Sequence, residues 1–220
     1  MTEHYYTANP TSAHKEQSFT ATLLGNALTF VTDSGVFSRD GVDAGTKLLL
    51  ETLPEADNRK FLDLACGWGA VGIAVAKRYP TATVTMTDIN ARAASLARRN
   101  AEANGVQAEI LCGDGLCGLP SDFGLIAVNP PIRAGKAVIY RLFAECAEHL
   151  SADGALYVVI RKQQGAPSAL KYLSCLFRGA EVVGRGGGYW VLGCFSPLEN
   201  AAKIPKSPVD NLSVDNSGNS

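Results

Sequence analysis

The chain has 220 residues, carries 20 Lys and Arg against 21 Asp and Glu, and has a net charge of -1 with 46% hydrophobic residues. This composition is typical of a globular protein and excludes disordered and fibrous classes. The balanced charge argues against broad, non-specific binding to nucleic acid, although one local basic face is compatible with it.

No apolar run approaches the roughly 20 residues of a membrane-spanning helix, and residues 1–18 lack the apolar segment of a signal peptide. We therefore expect a cytoplasmic protein with no membrane association. The six cysteines are scattered through apolar segments without the paired spacing of a zinc site. Reduced thiols and no bound metal are therefore predicted.

Composition divides the chain into an N-terminal extension at 1–17, a folded unit at 18–195 and a flexible polar tail at 196–220. The folded unit opens with two β-rich runs around Gly25-Asn26, which indicate a hairpin, and a helix is predicted at 43–51. Strands and helices then alternate, which predicts a mostly parallel sheet covered on both faces. The predicted strands are 60–65, 83–87, 108–112, 123–128 and 155–160, and the predicted helices are 70–79, 90–103, 138–150 and one that begins at Pro167.

The last two β-like runs, 180–184 and 189–194, are separated only by Arg185 and three glycines. A parallel crossover needs a dozen or more residues, so these runs must form an antiparallel hairpin. We predict a Rossmann-like, seven-stranded doubly wound sheet with an antiparallel terminal strand. This architecture is typical of S-adenosylmethionine (SAM) methyltransferases, whereas dinucleotide-binding folds stay parallel.

A glycine-rich loop follows the first strand of this sheet, from Asp63 through Gly67 and Gly69 to Gly72. Glycines let the backbone turn sharply and approach a ligand closely, although the same pattern also suits a plain strand-to-helix turn. The carboxylate of Asp63 would repel a pyrophosphate. It suits a ligand that carries an ammonium and a sulfonium, which favours SAM over NAD.

Two further acids follow neighbouring strands. Asp88 lies 19 residues after Gly69, close to the spacing expected for an acid that binds ribose hydroxyls. Its alternative role is a helix N-cap, which Asn90 can supply instead. Asp114 lies between two glycines after the third strand, where it can accept a hydrogen bond from adenine or simply form an Asp-Gly turn.

The reaction is indicated by Asn129-Pro130-Pro131-Ile132, which follows the fourth strand. The Asn129 amide oxygen and the Pro130 carbonyl can accept hydrogen bonds from one planar NH2 group and stabilise the positive charge that develops on its nitrogen. The two prolines stiffen the loop. A rigid turn is the alternative, but the loop lies behind a cofactor motif, so we predict methyl transfer to an exocyclic amine.

These motifs resemble class I SAM-dependent methyltransferases. More narrowly, the chain resembles the catalytic domain of the small-subunit rRNA guanine-N2 methyltransferases of the RsmC type and their single-domain relatives. Two-domain members carry a further N-terminal domain, which we do not expect in this chain. The resemblance rests on residues 4–6, 32–38, 40–43, 63–72, 129–136 and 160–166.

The resemblance implies N2-methylation of guanine in rRNA, with SAM as cofactor and the small ribosomal subunit as partner. Asn129 and Pro130 would act on the target amine. Phe37 and Ile132 would line the pocket for the target base, which must be flipped out of its stack to be reached. Ala65 stands where many methyltransferases have a first glycine. The implied cofactor residues are Asp63, Ala65, Gly67, Gly69, Asp88, Asp114 and Asn129.

Basic residues around the Asn129 loop support an RNA substrate. Arg133 and Lys136 flank the loop, and Arg161 and Lys162 follow the fifth strand, so all four are expected to face phosphates. Trp68 is a second candidate, with Phe37, for stacking on a base; its alternative role is packing within the cofactor loop.

The sequence is also compatible with other acceptors and other functions. The acceptor of the same enzyme class can be a protein glutamine amide, DNA adenine or a small molecule. A NAD-dependent oxidoreductase and a non-catalytic RNA-binding module are the remaining alternatives. Either a monomer or a homodimer is compatible with the sequence.

Overall fold

The computed structural model describes residues 12–199, so the motif at residues 4–6 and most of the predicted tail lie outside the described residues. The strands are β1 (Gln17–Leu23), β2 (Asn26–Thr32), β3 (Lys60–Leu64), β4 (Thr83–Asp88), β5 (Glu109–Cys112), β6 (Phe123–Val128), β7 (Leu150–Arg161), β8 (Phe177–Gly186) and β9 (Tyr189–Pro197). The α-helices are α1 (Ala44–Thr52), α2 (Ala70–Arg78), α3 (Ala91–Ala103), α4 (Lys136–His149) and α5 (Ala166–Leu176).

Seven strands form one sheet in the order β5-β4-β3-β6-β7-β9-β8, and β1 and β2 form a separate hairpin. Neighbours in the sheet are parallel except in the pairs β7–β9 and β8–β9, so β9 alone runs against the others. The predicted α/β fold, its N-terminal hairpin and its antiparallel terminal strand are all confirmed. The carboxyl ends of β3, β4, β6 and β7 therefore meet at one edge of the sheet.

The terminal hairpin is longer than its two predicted runs. Its turn needs only Gly187 and Gly188, whose φ angles of 55° and 81° suit a tight two-residue connection that L side chains rarely adopt. Arg185 and Gly186, which the sequence analysis placed in the spacer, instead pair with Trp190 and Tyr189. Because the turn is so short, strand structure continues to the tip.

Two apolar layers cover the sheet. One contains the β1–β2 hairpin and helices α1, α2 and α3, with Phe30, Phe61 and Ile73 fully buried. The other lies under α4 and α5, with Phe143 and Leu173 fully buried. Continuous burial along the central strands is what a parallel sheet covered on both faces requires.

The hairpin is fixed to α3 by two asparagines one turn apart. The side chain of Asn100 accepts a hydrogen bond from Val31 N at 2.8 Å and donates to Val31 O at 3.0 Å. Asn104 makes the same pair of bonds with the backbone of Thr29, at 3.0 and 2.8 Å. Asn100 also donates to the carbonyl of Trp68 at 2.9 Å, so it connects the hairpin to the glycine-rich loop.

Within residues 12–199, no helix is long and apolar enough to cross a bilayer. In the same part of the chain, His, Cys, Asp and Glu form no cluster of three that could hold a metal ion.

Candidate active site

Three adjoining clefts lie where β3, β4 and β6 end, and Phe37 and Asn129 line all of them. The central cleft also has walls from Ala65, Gly67, Asp88, Asn90, Ala93, Pro130 and Pro131. The inner cleft contains Asp43, Thr46, Asp63, Cys66 and Trp68. The outer cleft contains Ile132, Arg133, Ile160, Arg161, Gln164 and Tyr189.

The glycine-rich loop makes its turn with three residues in the left-handed region. Ala65, Gly67 and Gly69 have φ angles of 57°, 57° and 91°. Ala65 thus adopts the backbone conformation that a glycine would take more easily, at a cost of roughly 1 kcal/mol. Gly72 is required for a different reason, because a Cβ there would collide with the side chain of Met86.

Asp63 is the penultimate residue of β3 and is buried, with 3% of its surface exposed. Its Oδ2 accepts a hydrogen bond from Gly72 N at 2.8 Å. Burial raises the pKa of Asp63 to about 7, the negative charge of Asp88 adds to the increase, and the Gly72 amide opposes it. A buried carboxyl with so high a pKa is poised to ionise when a cationic ligand arrives.

Asp88 ends β4 and holds the glycine-rich loop. Its Oδ2 accepts from Gly67 N and its Oδ1 accepts from Asn90 N, both at 2.8 Å. Burial raises its pKa, and these two amides oppose that increase. The helix cap comes from Asn90, whose side chain accepts from the backbone of Arg92 and Ala93. Asp88 therefore does not cap α3, and its carboxylate faces the central cleft.

The amide of Asn129 is held in one orientation by α1. Thr46 Oγ1 donates to Asp43 Oδ2 at 2.6 Å, so the oxygen of that hydroxyl is left to accept. It accepts from Asn129 Nδ2 at 3.2 Å. Asp43 is fixed in turn as the N-cap of α1, where it accepts from Gly45 N and Thr46 N. Consequently Thr46 holds the NH2 group of Asn129, while Asn129 Oδ1 makes no hydrogen bond with residues 12–199.

The outer cleft has an aromatic and basic rim. Phe37 is 38% exposed, the one large hydrophobic side chain of residues 12–199 that is so exposed. Tyr189 packs against α1, where a Cβ at Gly45 would lie 2.7 Å from its ring. Arg161 donates from Nε to the Tyr189 hydroxyl at 2.9 Å. A planar ring could enter this cleft between such walls.

Several predicted residues lie elsewhere. Asp114 is 53% exposed and forms a 2.7 Å ion pair with Arg141, outside the lining of the three clefts. Gly69 and Lys136 also lie outside those linings, and Lys136 Nζ lies 5.2 Å from the ring centroid of Tyr140. Trp68 is not available for stacking on a base, because it is 3% exposed and packs on Phe19 and Phe30.

Sequence reasoning did not single out Thr46 and Tyr189. Thr46 could be recognised locally as part of the cap of α1, but its contact with Asn129 joins residues 83 positions apart. Tyr189 reaches the site only because β9 returns beside β7. Neither contact has a signature in the spacing of residues.

Comparison with known proteins identifies the family. A family model described as methyltransferase small domain matches residues 27–193. The chain is 40% identical over 196 residues to YbxB, an uncharacterized protein of Bacillus subtilis (strain 168), covering 87% of this chain and 98% of that protein. It is 39% identical over 141 residues to the ribosomal RNA small subunit methyltransferase C of Hahella chejuensis, covering 62% of this chain and 41% of that protein.

A solved structure agrees with these relationships. The T. thermophilus 16S rRNA guanine-N2 methyltransferase RsmC, in complex with AdoMet and guanosine, matches with a TM-score of 0.75 and 27% identity. The match covers 85% of this chain and 52% of that one. The chain thus spans about half the length of the rRNA methyltransferases that it matches. Its sheet topology and family match together show that the chain belongs to the methyltransferase small domain family of class I SAM-dependent methyltransferases.

Proposed function

We propose that this chain transfers a methyl group from SAM to the exocyclic N2 of a guanine in ribosomal RNA. The observation that carries the proposal is that Asn129 lines all three clefts while Thr46 holds its NH2 group, which leaves its oxygen to accept hydrogen bonds there. An oxygen at that point accepts hydrogen bonds from an amine and would repel a carbonyl oxygen. The amide therefore selects an NH2 group as the target.

The residues of the central and inner clefts fit SAM. Asp63 supplies a buried carboxylate for the ammonium group, and Asp88 offers the remaining lone pairs of its two oxygens to the ribose hydroxyls. The turn from Ala65 to Gly69 brings backbone close to the ligand without a bulky side chain. When bound, SAM supplies an electrophilic methyl whose bond to sulfur breaks, with the electron pair kept by sulfur, as the bond to nitrogen forms.

Asn129 and Pro130 prepare the target nitrogen. The lone pair of a guanine NH2 group is delocalised into the ring, so the nitrogen is a weak nucleophile. Acceptance of its two hydrogens by Asn129 Oδ1 and the Pro130 carbonyl favours pyramidal nitrogen and stabilises the positive charge that develops there. The methylated nitrogen then loses one proton to water, and no strong base is needed.

The outer cleft is the proposed position of the guanine ring, between Phe37 and Ile132. A base within a stack cannot reach this depth, so the nucleotide must be flipped out. The rRNA methyltransferases among the relatives support ribosomal RNA as the source of the base. Such a substrate implies action in the cytoplasm with the small ribosomal subunit as partner.

The test is a methyl-transfer assay with radiolabelled SAM. Small-subunit particles from a strain that lacks this protein would be incubated with the purified chain, and the digested RNA would be separated into nucleosides. We expect label in N2-methylguanosine with wild-type protein and none with Asn129→Ala. Free rRNA should be assayed in parallel, to distinguish naked from assembled substrate.

The opposite results are equally informative. Label in another nucleoside would move the target within RNA. Bound SAM with no label in any RNA would reject the rRNA proposal and leave glutamine amides, DNA adenine and small molecules to be assayed in the same way.

A further inference from the structure

Nine of the Lys and Arg side chains of residues 12–199 are held by one of two kinds of contact. Four of them, together with His14, take part in six ion pairs with carboxylates: Lys60, Arg92, Arg99 and Arg141. A different set lies over aromatic rings: Arg78 on Tyr79, Lys136 on Tyr140, Arg161 on Tyr189, and both Lys162 and Arg185 on Trp190. The two sets share no member.

Four of the five ring-held cations lie beside the outer cleft. Arg161 ends β7 and pairs in register with Tyr189, and Arg185 near the end of β8 pairs with Trp190. The backbone of Lys162 donates to Gly188 O at 2.9 Å, which keeps it at the tip of the terminal hairpin. Lys136 begins α4, four residues after Ile132 of the cleft lining. We call these four cations, with Tyr140, Tyr189 and Trp190, the cation–π surface.

The way in which a cation is held determines what it can still bind. A carboxylate fixes a cation but cancels its charge, whereas an aromatic ring fixes it at 4.7 to 5.8 Å here and leaves the full charge available. None of the four lies within ion-pair distance of a carboxylate of residues 12–199. The surface therefore presents positive charges that are already positioned, next to the cleft that is proposed for the target base.

We propose that the cation–π surface binds the phosphate backbone of the single-stranded RNA segment that flanks the target nucleotide. This proposal rests on the proposed function, and it adds the surface by which the substrate is held. Phosphates carry the anionic charge that such cations need, and their contacts position a strand without reading its sequence. Tyr189 and Trp190 are consecutive in β9, so Arg161 lies on the face of the sheet that α1 covers, and Lys162 and Arg185 lie on the other face. The RNA strand therefore passes over the tip of the terminal hairpin to contact both.

The experiment compares two double variants that lose the same charge. Lys162→Gln with Arg185→Gln removes two members of the surface that do not line the outer cleft. Arg59→Gln with Arg178→Gln removes two exposed charges at the amino ends of β3 and β8, on the edge of the sheet opposite the clefts. Kd for a fluorescent single-stranded RNA oligonucleotide is measured at several salt concentrations. Kd for SAM and the melting temperature are measured as controls of folding and of the cofactor site.

We expect the first double variant to bind RNA at least tenfold more weakly than wild type and the second to bind within about twofold. The slope of log K against log salt should fall by about 1.4 for the first variant, since each phosphate contact on a single strand contributes about 0.7. Trp190→Leu keeps all the charges but releases two of them, so we expect weaker RNA binding with the same slope. Kd for SAM should not change in any variant.

Three results would overturn the cation–π surface. They are equal loss of RNA binding in both double variants, no loss in either, and displacement of the RNA by polyglutamate as effectively as by unlabelled RNA, which would indicate an acidic protein partner. The methylation assay separates this failure from that of the proposed function. If wild type methylates guanine and the variants bind RNA as tightly as wild type does, only the cation–π surface is rejected. A clear binding contrast without methylation of any RNA would reject the proposed function alone.

Discussion

The two halves of the active-site edge have opposite charge and opposite solvation. The half at β3 and β4 has two buried carboxylates, Asp63 and Asp88, each held by backbone amides. The half at β7, β9 and β8 has exposed cations held by aromatic rings. Asn129 lies between them at the end of β6. A site divided in this way suits a cationic methyl donor on one side and a polyanionic substrate on the other.

The largest expected effect comes from Asn129, the residue between the two halves. Asn129→Ala removes the oxygen that would stabilise charge on the target nitrogen, and we expect kcat to fall by roughly 10²–10³-fold. Kd for SAM, measured by calorimetry, should stay within a few-fold of wild type. If the variant loses SAM binding and activity in parallel, Asn129 acts on the cofactor and belongs to the half at β3 and β4.

A smaller loss should follow when Asn129 stays but its orientation is released. Thr46→Val removes the hydroxyl that accepts from the amide, and we expect kcat to fall about tenfold with KM for RNA unchanged, because misalignment at the reacting atom affects the chemical step. Thr46→Ser keeps the hydroxyl and should restore most of kcat. Melting curves monitor the cap of α1, and failure of the serine variant to restore activity would contradict the positioning role.

The carboxylate half should respond to pH. Asp63 has a pKa of about 7 in the free protein, which is above its ordinary value, so it is mostly protonated at pH 6 and mostly ionised at pH 7.5. If a cationic ligand requires the ionised form, affinity for SAM should rise by roughly eightfold over this range, which lies below the usual α-amino pKa of about 7.7–8.0. Calorimetry measures the change. Asp63→Asn should bind weakly with no such pH dependence, and an equal dependence in that variant would exclude Asp63 as its source.

The smallest expected effect concerns Asp114. If its carboxylate accepts from the adenine amine, Asp114→Ala should weaken SAM binding by about 2- to 10-fold, the range of one hydrogen bond. Arg141→Gln breaks the same ion pair but keeps the carboxylate, so its affinity for SAM should match wild type. Equal affinities in both variants would exclude Asp114 from recognition of the adenine.

The sequence sufficed to predict features that depend on neighbours along the chain. Alternating strands and helices, the glycine-rich loop and the short terminal connection are all local patterns, and the structure contains each of them. The terminal hairpin is longer than predicted at both ends. Its outer ends reach Phe177 and Pro197, the latter inside the predicted tail, and at its tip three successive glycines resemble a loop. Two of them form the turn, and the third pairs as strand.

Features that depend on contacts between distant elements were not predictable. The bond between Asn129 and Thr46 and the stacking of Arg185 on Trp190 both require the helix packing or the strand register to be known first. The role of Trp68 was equally open, since a tryptophan in a ligand-binding loop can either stack on a base or pack within the protein. Its ring is directed into the hairpin, where the phenylalanines of β1 and β2 enclose it.

The asparagines of α3 have a consequence for the behaviour of the protein at high concentration. A two-stranded hairpin exposes unpaired backbone groups along its outer strand, and such edges recruit strands from other molecules. Asn100 and Asn104 occupy the backbone groups of Val31 and Thr29 with their side-chain amides, in the manner of a short additional strand. Side chains of Asn100 in α3 and of Asn104 just after it thereby cover the outer edge of β2 at two residues, which are no longer open to pairing with a strand of another molecule.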